Sequence, residues 1–298
     1  MNILLLGANG QVGWELRRSL APLGNVTPLS RNDRDPVGDL ADLDGIARTI
    51  RTIAPDVIVN AAAYTAVDQA ETDKAAARLI NTDAVRVVAE QAARLGSLLI
   101  HYSTDYVFDG EGSTPFKEDH PTAPLNEYGR TKRDGEEAII ASGCKAAILR
   151  TSWVYAARGR NFLKTILRLA QSREKLDVVA DQFGAPTGAE LIADVTSRVI
   201  PAAVASPEKL GTYHLTASGE TSWHGYASFI VDTARQLGVP LRVEKLNPIG
   251  SDAFPTPAAR PRNSRLDCGK IANAFAVRLP DWRLGVSRVI EELREMEK

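Results

Sequence analysis

The chain has 298 residues, 44% of them hydrophobic, which is enough to bury the core of one large α/β domain with a smaller lobe. At pH 7 its net charge is −1 and its charged residues are spread along the whole sequence, so neither nucleic acid nor a membrane is expected as a partner. The two cysteines, Cys144 and Cys268, are far apart and outside any metal-binding pattern, which argues against a disulfide framework and a zinc site.

The first half of the chain alternates short apolar runs with longer amphipathic segments, a pattern typical of βαβ units around a parallel sheet. The predicted strands are residues 2–6, 26–29, 56–60, 97–102 and 146–150. A helix is predicted over residues 73–96, where Ala and Leu recur every three to four residues and Gly96 provides a stop. The first strand has no basic segment before it and stops at Gly7, so it predicts neither a signal peptide nor a membrane span, and a soluble cytoplasmic protein is expected.

After about residue 155 this alternation lapses, and loops rich in Pro, Gly and polar residues appear, which usually bind a ligand when they are ordered. These loops are residues 181–190, 216–223 and 247–267, and helices are predicted at 159–171, 192–204 and 281–298. The predicted fold class is α/β, a Rossmann-like doubly wound parallel sheet with a smaller C-terminal substrate lobe. Residues 1–154 are expected to form the dinucleotide-binding domain, with some later segments returning to it, and residues 155–298 mainly the substrate-binding lobe.

A glycine-rich stretch, "GANGQVG", joins the first strand to an amphipathic helix and places Gly7, Gly10 and Gly13 three residues apart. Such glycines permit a tight turn and let backbone N–H groups approach a pyrophosphate, which the positive end of the helix also attracts. The context predicts dinucleotide binding, with Gln11 and Val12 in the same turn, and the alternative is an ordinary strand-to-helix turn.

The second strand ends in "LSRND", where enzymes that use NAD commonly place an acidic residue against the ribose 2′-hydroxyl. Ser30 and Arg31 would instead bind a 2′-phosphate through a hydroxyl and a guanidinium. We therefore expect NADPH to be preferred over NADH. The alternative is that Arg31 only lies in solvent and that Asp33 or Asp35 contacts the ribose.

Further cofactor contacts are predicted at two short stretches of small or acidic residues and at the fourth strand. "GDL" at residues 38–40 lies where such folds place an acidic residue beside the adenine, and "NAAAYTAVD" at residues 60–68 would let the cofactor lie against the backbone. The predicted contacts are Asp39, Leu40, Ala61, Ala62, Ala63, Tyr64, Thr65 and Tyr102. The alternative for the alanines is plain packing in an α/β core.

Tyr128 and Lys132 form a YxxxK pair, which shares one face of a helix at this spacing. A phenol is too weak an acid near neutral pH, and a nearby ammonium together with a cationic nicotinamide would lower its pKa. Thr104 precedes Tyr128 by 24 residues, at a predicted strand end. This order and the glycine spacing resemble the extended short-chain dehydrogenase/reductases, which implies that Thr104 orients the reacting carbonyl, Tyr128 donates the proton, and Lys132 tunes Tyr128 and holds the nicotinamide ribose.

Motifs over nearly the whole chain resemble one branch of that superfamily, the dTDP-4-dehydrorhamnose reductases. They include "STDYVFDG", "PLNEYGRTK", "LRTSWVY", "DQFGAPT" and "RPRNSRLD". The resemblance implies NAD(P)H-dependent reduction of the carbon-4 ketone of dTDP-4-dehydro-β-L-rhamnose, the last step of dTDP-L-rhamnose biosynthesis. It also implies a homodimer and Mg²⁺, for which Glu190 or Glu292 could contribute, although scattered carboxylates are usually solvated surface.

The residue at position 106 distinguishes reduction from elimination. Nucleotide-sugar 4,6-dehydratases carry Thr-Asp-Glu at this strand end, and the glutamate removes the proton from carbon 5. This chain has Thr104, Asp105 and Tyr106, so the base for elimination is missing, whereas a reductase needs only hydride, a proton donor and a polarised carbonyl.

Substrate contacts are predicted from the motifs that match the family. Asp105 is expected to contact the sugar, and Trp153, at the end of the fifth strand, to stack on the sugar face, with core filling as the alternative. Arg260 and Asn263, with Arg262 and Ser264, are expected to meet the diphosphate and the base, with a solvated linker as the alternative.

Two other functions remain open from the sequence. The resemblance extends to a non-catalytic regulatory subunit of methionine adenosyltransferase, which keeps the dinucleotide-binding fold and works through protein contact. A reductase of another dTDP-4-keto sugar is also compatible with the motifs. The complete set of Thr104, Tyr128 and Lys132 favours an enzyme.

Overall fold

The computed structural model describes residues 1–296. Its strands are β1 (Asn2–Leu6), β2 (Asn25–Leu29), β3 (Val57–Asn60), β4 (Leu98–Thr104), β5 (Lys145–Thr151), β6 (Val154–Tyr155), β7 (Lys175–Val179), β8 (Phe183–Gly184), β9 (Thr187–Gly188), β10 (Gly211–His214), β11 (Thr221–Ser222) and β12 (Lys245–Ile249). Its helices are α1 (Gln11–Ser19), α2 (Leu43–Ile53), α3 (Val67–Ala70), α4 (Lys74–Arg78), α5 (Ala84–Leu95), α6 (Glu127–Ser142), α7 (Phe162–Ser172), α8 (Ala189–Ala205), α9 (Trp223–Gln236), α10 (Gly269–Phe275) and α11 (Trp282–Met296).

Six parallel strands form the central sheet in the order β2, β1, β3, β4, β5, β10. Because helices cover both faces, its central strands are almost entirely apolar, and Ile3 through Leu6 are at most 1% exposed. The α/β fold class is confirmed, and each of the five predicted strands lies within two residues of its observed bounds. The sixth strand, β10, was not predicted, because "GTYH" contains no apolar run.

Helices pack against both faces of this sheet. On one face, α1 and α8 contribute Leu16, Ile192 and Val199 to the core. On the other, α2, α5 and α6 contribute a second apolar layer, consisting of residues such as Ile46, Ile50, Val85, Val88 and Ile139. The predicted helix at residues 192–204 corresponds to α8, which packs against the central sheet although it lies in the C-terminal half of the sequence.

The helix predicted over residues 73–96 is interrupted by one π-helical turn, Leu79–Asp83, between α4 and α5. Gly96 ends it in the left-handed region, as predicted, with φ of 71°. The turn places the buried side chain of Asn81 against the backbone of Tyr64, whose N–H donates to Oδ1 at 2.9 Å and whose carbonyl accepts from Nδ2 at 3.1 Å. The interruption thus fixes a loop that the sequence assigned to the cofactor.

A second core lies in the C-terminal half, where α7, α9 and α11 pack around the β7–β12 pair. Its fully buried residues include Leu163, Tyr226, Ile230 and Val286. The predicted closing helix extended to residue 298, and its last two positions, 297 and 298, lie outside the described residues. Among the helices of residues 1–296, none combines the length and the apolar character that a membrane crossing needs.

Candidate active site

A cleft of about 700 Å³ runs along the carboxyl edge of the sheet, where the strand order reverses between β1 and β3. Ligands of doubly wound sheets bind at such a reversal. Most predicted site residues line this cleft: Gly7, Gly10, Gln11, Val12, Ser30, Arg31, Asp39, Leu40, Ala61, Ala62, Ala63, Tyr64, Thr65, Tyr102, Thr104, Asp105, Tyr128, Lys132 and Trp153. Gly13, Arg260 and Asn263 lie outside its lining.

The glycine loop leaves no room for side chains. Gly7 has φ of 82°, and a Cβ on it would come within 2.6 Å of the Ala62 nitrogen. A Cβ on Gly13 would lie 2.0 Å from the Gly7 carbonyl oxygen, so Gly13 shapes the loop from behind the cleft. Gly10 precedes α1 and provides no side-chain cap, so the first N–H groups of the helix face the cleft. This cradle fits a pyrophosphate.

At the far end of the cleft, Ser30 and Asp33 form a closed turn. The Asp33 carboxylate accepts from the Ser30 N–H at 2.6 Å and from its hydroxyl at 2.8 Å, and these bonds lower the pKa of Asp33. Asp33 is thereby engaged within the turn rather than directed at a ligand. Arg31 is exposed and lines the cleft, and within residues 1–296 its guanidinium has no ion pair.

At the other end, Thr104 is the last residue of β4 and Tyr128 lies in the first turn of α6. Asn126 starts this helix by accepting the Gly129 N–H at 2.8 Å. A Cβ on Gly129 would lie 2.1 Å from the Tyr106 carbonyl, so only glycine allows α6 to approach the turn after Thr104 this closely. The sequence signal for this approach was the glycine inside "YGRTK", which is otherwise unfavourable in a helix by about 1 kcal/mol.

Tyr128 is half-buried, and desolvation raises the pKa of its phenol to about 12, while a hydrogen bond with Thr104 opposes the rise. The Thr104 Oγ1 also accepts the Tyr106 N–H and donates to Asp105 Oδ1, both at 3.2 Å. The expected lowering of the Tyr128 pKa by Lys132 does not occur in the protein alone, because the Lys132 ammonium is bound elsewhere. For the complex with a cationic nicotinamide it stays a prediction.

Lys132 is 2% exposed and reaches under β4. Its Nζ donates to the Tyr102 carbonyl at 2.7 Å and lies 3.1 Å from His101 Nε2. Burial lowers the pKa of Lys132 to about 8, and the negative charge of Glu136 opposes this. A lysine whose charge changes this close to neutral pH is suited to proton transfer.

Asp105 is 2% exposed, and burial raises the pKa of its carboxyl to about 6 against hydrogen bonds from Ser264 and Thr104. Its second oxygen, Oδ2, has no hydrogen-bond partner within residues 1–296. Because a buried polar atom without a partner is costly, Oδ2 is suited to accept from a sugar hydroxyl.

Three further hydroxyls at the strand ends share this feature, and two of them, those of Thr151 and Ser152, were not predicted. They belong to Ser103, Thr151 and Ser152, and all three are buried, line the cleft and lack a hydrogen-bond partner among the described residues. The sequence feature that could have indicated them is the polar "TS" at the end of β5, which resembles "STD" at the end of β4. These unpaired groups and the glycine cradle fit a bound dinucleotide and a polar substrate.

Trp153 lies in the cleft, as predicted, and is paired with Trp223, which was not. The two indoles stack with ring centroids 3.6 Å apart. Trp153 has φ of 49°, a strained conformation for a large side chain, and a Cβ on Gly184 would lie 2.8 Å from its ring. Trp223 donates through Nε1 to Gln182 Oε1 at 3.1 Å. Together they form an aromatic wall from the second core.

A loop of the C-terminal half, residues 156–161, reaches across to α1. Asn161 Nδ2 donates to Gln11 Oε1 at 2.8 Å, and the Arg158 guanidinium lies 3.8 Å from the centroid of the Trp14 ring. Between these contacts, Arg160 is exposed and lines the cleft. Arg160 was not predicted, because no local sequence pattern relates it to the glycine loop.

Arg260 and Asn263 are engaged in the fold. Arg260 pairs with Asp68 at 2.8 Å. The Asn263 amide is buried and donates to the carbonyls of Glu111 and Thr114 at 3.2 and 2.8 Å. Substrate binding by either residue stays a prediction.

Within residues 1–296, no group of three or more His, Cys, Asp or Glu side chains is placed to hold a metal ion. Glu190 pairs with Arg288 at 3.5 Å. Burial, together with the charges of Glu190 and Glu292, raises the pKa of Glu15. Magnesium binding therefore stays a prediction.

Comparison with known proteins agrees with the geometry of the cleft. The family model described as the RmlD substrate binding domain matches residues 1–295. The dTDP-4-dehydrorhamnose reductase of Escherichia coli (strain K12) is 53% identical over 293 residues and covers 98% of each chain. That of Shigella flexneri is 54% identical, with the same coverage. The crystal structure of the Bacillus anthracis dTDP-4-dehydrorhamnose reductase in complex with NADP superposes with a TM-score of 0.87 at 33% identity, covering 98% of this chain and 99% of that one.

Proposed function

This chain belongs to the dTDP-4-dehydrorhamnose reductase family, and from that premise we propose that Thr104, Tyr128 and Lys132 carry out its reaction. The protein is an NAD(P)H-dependent oxidoreductase that reduces the carbon-4 ketone of dTDP-4-dehydro-β-L-rhamnose, the last step of dTDP-L-rhamnose biosynthesis. The observation that carries the proposal is the meeting of these three side chains at one end of one cleft. The non-catalytic subunit reading is not retained, because the family is one of reductases.

When bound, NADPH supplies the hydride. The turn from Gly7 to Gly13 and the start of α1 would hold its pyrophosphate, and Arg31 its 2′-phosphate. Ser30 would join Arg31 only if its hydroxyl turned from Asp33 to the phosphate. A preference for NADPH over NADH is supported by the engagement of Asp33 with Ser30 and by the exposed guanidinium of Arg31. The other predicted cleft contacts would lie along the rest of the dinucleotide.

Tyr128 would donate the proton and Thr104 would position the oxygen that receives it. With a pKa of about 12 the phenol keeps its proton until an alkoxide forms at carbon 4. The Thr104 hydroxyl, which is 5% exposed, would hydrogen-bond the same oxygen. Lys132 would then stabilise the phenolate that remains on Tyr128.

Tyr106 makes elimination unfavourable in the same cleft. Burial raises the pKa of its phenol, and the adjacent Asp105 charge raises it further. The neutral phenol cannot remove a proton from carbon 5, where a dehydratase would use a carboxylate. The site therefore favours reduction over loss of water.

The second core would bind the sugar nucleotide. Trp153 would stack on the sugar face with support from Trp223, and Asp105 would accept from a sugar hydroxyl. The proposed diphosphate contact is Arg260, which would have to exchange its ion pair with Asp68 for the phosphate, while the buried Asn263 amide would support this loop through the Glu111 and Thr114 carbonyls. We also propose the division into residues 1–154 and 155–298, with α8, β10 and α10 returning to the sheet. A homodimer, a magnesium site and a cytoplasmic location complete the proposal.

The role of Thr104 can be tested with two variants. Thr104→Val keeps the volume and removes the hydroxyl, and we expect kcat to fall by about 10²-fold. Thr104→Ser keeps the hydroxyl and should retain turnover within a few-fold. The measurement is NADPH oxidation at 340 nm with dTDP-4-dehydro-β-L-rhamnose. Normal turnover by Thr104→Val would remove Thr104 from the mechanism.

A further inference from the structure

His101 is a buried histidine directly beneath the proposed catalytic lysine. It lies in β4, is 0% exposed, and places Nε2 3.1 Å from Lys132 Nζ. Its other nitrogen, Nδ1, lies 3.3 Å from Asn60 Nδ2. Asn60 sits in β3 beside it, is 1% exposed, and accepts the Ala62 N–H through Oδ1 at 3.2 Å.

A neutral imidazole has one donor and one acceptor nitrogen, which allows two arrangements here. With Asn60 Nδ2 donating to Nδ1, the imidazole proton is on Nε2 and Lys132 accepts it as an amine. With the proton on Nδ1, Nε2 accepts instead from the Lys132 ammonium, and the Asn60 amide has to rotate so that Oδ1 accepts from Nδ1 in place of the Ala62 N–H. In both arrangements Nζ keeps a partner on His101 in addition to the Tyr102 carbonyl.

The charged and titratable surroundings of this pair are limited. Burial, followed by the charge of Lys132, keeps the pKa of His101 well below its usual value, so the imidazole is neutral. From α6, Glu136 acts on Lys132, but its carboxylate is bound by Arg150 of β5 at 2.6 and 2.9 Å. Three further titratable groups line the same cleft as Lys132: Tyr102 on β4, Asp105 after β4 and Tyr128 on α6.

We propose that His101 is a positioning residue for the reduction, which holds Lys132 Nζ from below the cleft and keeps it hydrogen-bonded both as an ammonium and as an amine. The proposal rests on the role of Lys132 given above. When Nζ is held in this way, its remaining hydrogen is available to the cleft. Tyr128 lines that cleft, and the nicotinamide ribose would bind there. Without His101, the ammonium loses one of its two partners in a buried site, which destabilises it more than the amine.

The test compares His101→Phe, which removes both nitrogens, with His101→Gln, whose amide can still accept from or donate to Nζ. We expect His101→Phe to lower kcat/KM by about tenfold or more and to move the alkaline limb of its pH profile down by about one pH unit. His101→Gln should retain most of the wild-type kcat/KM and keep the alkaline limb close to its wild-type position. His214→Phe is the matched control, since His214 is also 0% exposed but bonds the Phe116 carbonyl outside the cleft, and it should keep the wild-type profile.

A second readout uses protein without added cofactor and does not depend on turnover. Two-dimensional ¹⁵N spectra of the wild type between pH 6 and 10 report the tautomer of His101 and the charge of Lys132. The Lys132 signal is assigned as the one that is absent from the spectrum of Lys132→Met. We expect the tautomer of His101 to change as Lys132 titrates. This measurement stands even where His101→Phe fails to fold.

The possible outcomes separate this inference from the function on which it rests. An active Lys132→Met would overturn the assigned role of Lys132. An inactive Lys132→Met together with a His101→Phe that keeps the wild-type pH profile would overturn only the role of His101. A tautomer that stays constant through the titration of Lys132 would overturn it as well.

Discussion

The two ends of the cleft present their functional groups in different ways. At the nicotinamide end, Thr104, Asp105 and Lys132 are at most 5% exposed and are fixed by β4 and α6. At the adenosine end, Arg31 is an exposed side chain on a loop. Burial controls the charge of the first set, whereas solvent screens the second. We therefore expect changes at the nicotinamide end to alter rates and stability, and changes at the adenosine end to alter affinity.

The largest effect is expected from Tyr128→Phe, which removes the proton donor and little else. We predict a fall in kcat of about 10²- to 10⁴-fold, the usual contribution of a general acid. The Kd for NADPH, measured by fluorescence titration, should change by less than about twofold, because ring packing against Tyr106 is kept.

The matched control is Tyr213→Phe, a buried tyrosine of β10 whose hydroxyl bonds the Lys209 carbonyl away from the cleft. It should keep normal turnover. A Tyr128→Phe variant as active as this control would mean that the buried end does not supply the proton.

Asp105 gives the next largest effect, on stability. Burial raises its pKa in the folded protein to about 6 from 3.8, so its stabilising contribution is complete below pH 3.8 and is lost as the pH rises through 6. From pH 4 to pH 8 the free energy of unfolding of the wild type should therefore fall by about 2.4 kcal/mol more than that of Asp105→Asn. Urea unfolding of both proteins at each pH measures this. Parallel curves would show that Asp105 is not perturbed by burial.

At the exposed end, Arg31→Ala should weaken NADPH binding by about tenfold and leave NADH binding unchanged, because only NADPH carries the 2′-phosphate. Arg34→Ala is a suitable control, since Arg34 is exposed on the same loop and lies 3.9 Å from Asp39. Isothermal titration calorimetry with each dinucleotide gives the ratio of the variant's Kd to the wild-type Kd, one for NADPH and one for NADH. Equal losses for NADPH and NADH in Arg31→Ala would contradict the assigned phosphate contact.

The smallest effect is expected from Arg160→Ala. Its exposed guanidinium lies on the loop that Asn161 and Gln11 join to α1, close to the expected pyrophosphate. An exposed charge pair contributes at most about 1 kcal/mol, so NADPH and NADH should both bind about three- to fivefold more weakly. Kd values for both dinucleotides check this. A loss confined to NADPH would place Arg160 at the 2′-phosphate instead.

The same contrast explains what the sequence could and could not predict. Strands β1 to β5 were predictable because strands covered on both faces are apolar runs. The shared helix face of Tyr128 and Lys132 follows from their i, i+4 spacing, but their grouping with Thr104 came from the resemblance to short-chain reductases. Strand β10 lacks the apolar run, and no local sequence signal marks the π turn within the Ala-rich helix, so neither was predicted.

Residues that depend on contacts between distant segments were also missed. Trp223 meets Trp153 only because β8 brings Gly184 under the indole. Nothing in the sequence pointed to His101, because its contact with Lys132 spans 31 positions. Arg260 and Asn263 were chosen from a motif of suitable chemistry, but their observed partners, such as Asp68 of α3, lie in distant segments of the chain. A local sequence pattern predicts what kind of contact a side chain can make. It does not predict which distant residue that side chain will contact.

The most direct test of the account is a single turnover with dTDP-4-dehydro-β-L-rhamnose and NADPH that carries deuterium at the transferable position of its nicotinamide. The product is then examined by NMR. The account predicts one deuterium at carbon 4 of the hexose for each NADPH oxidised, with no loss of water from the sugar. Oxidation without deuterium at carbon 4, or no substrate-dependent oxidation, would contradict it.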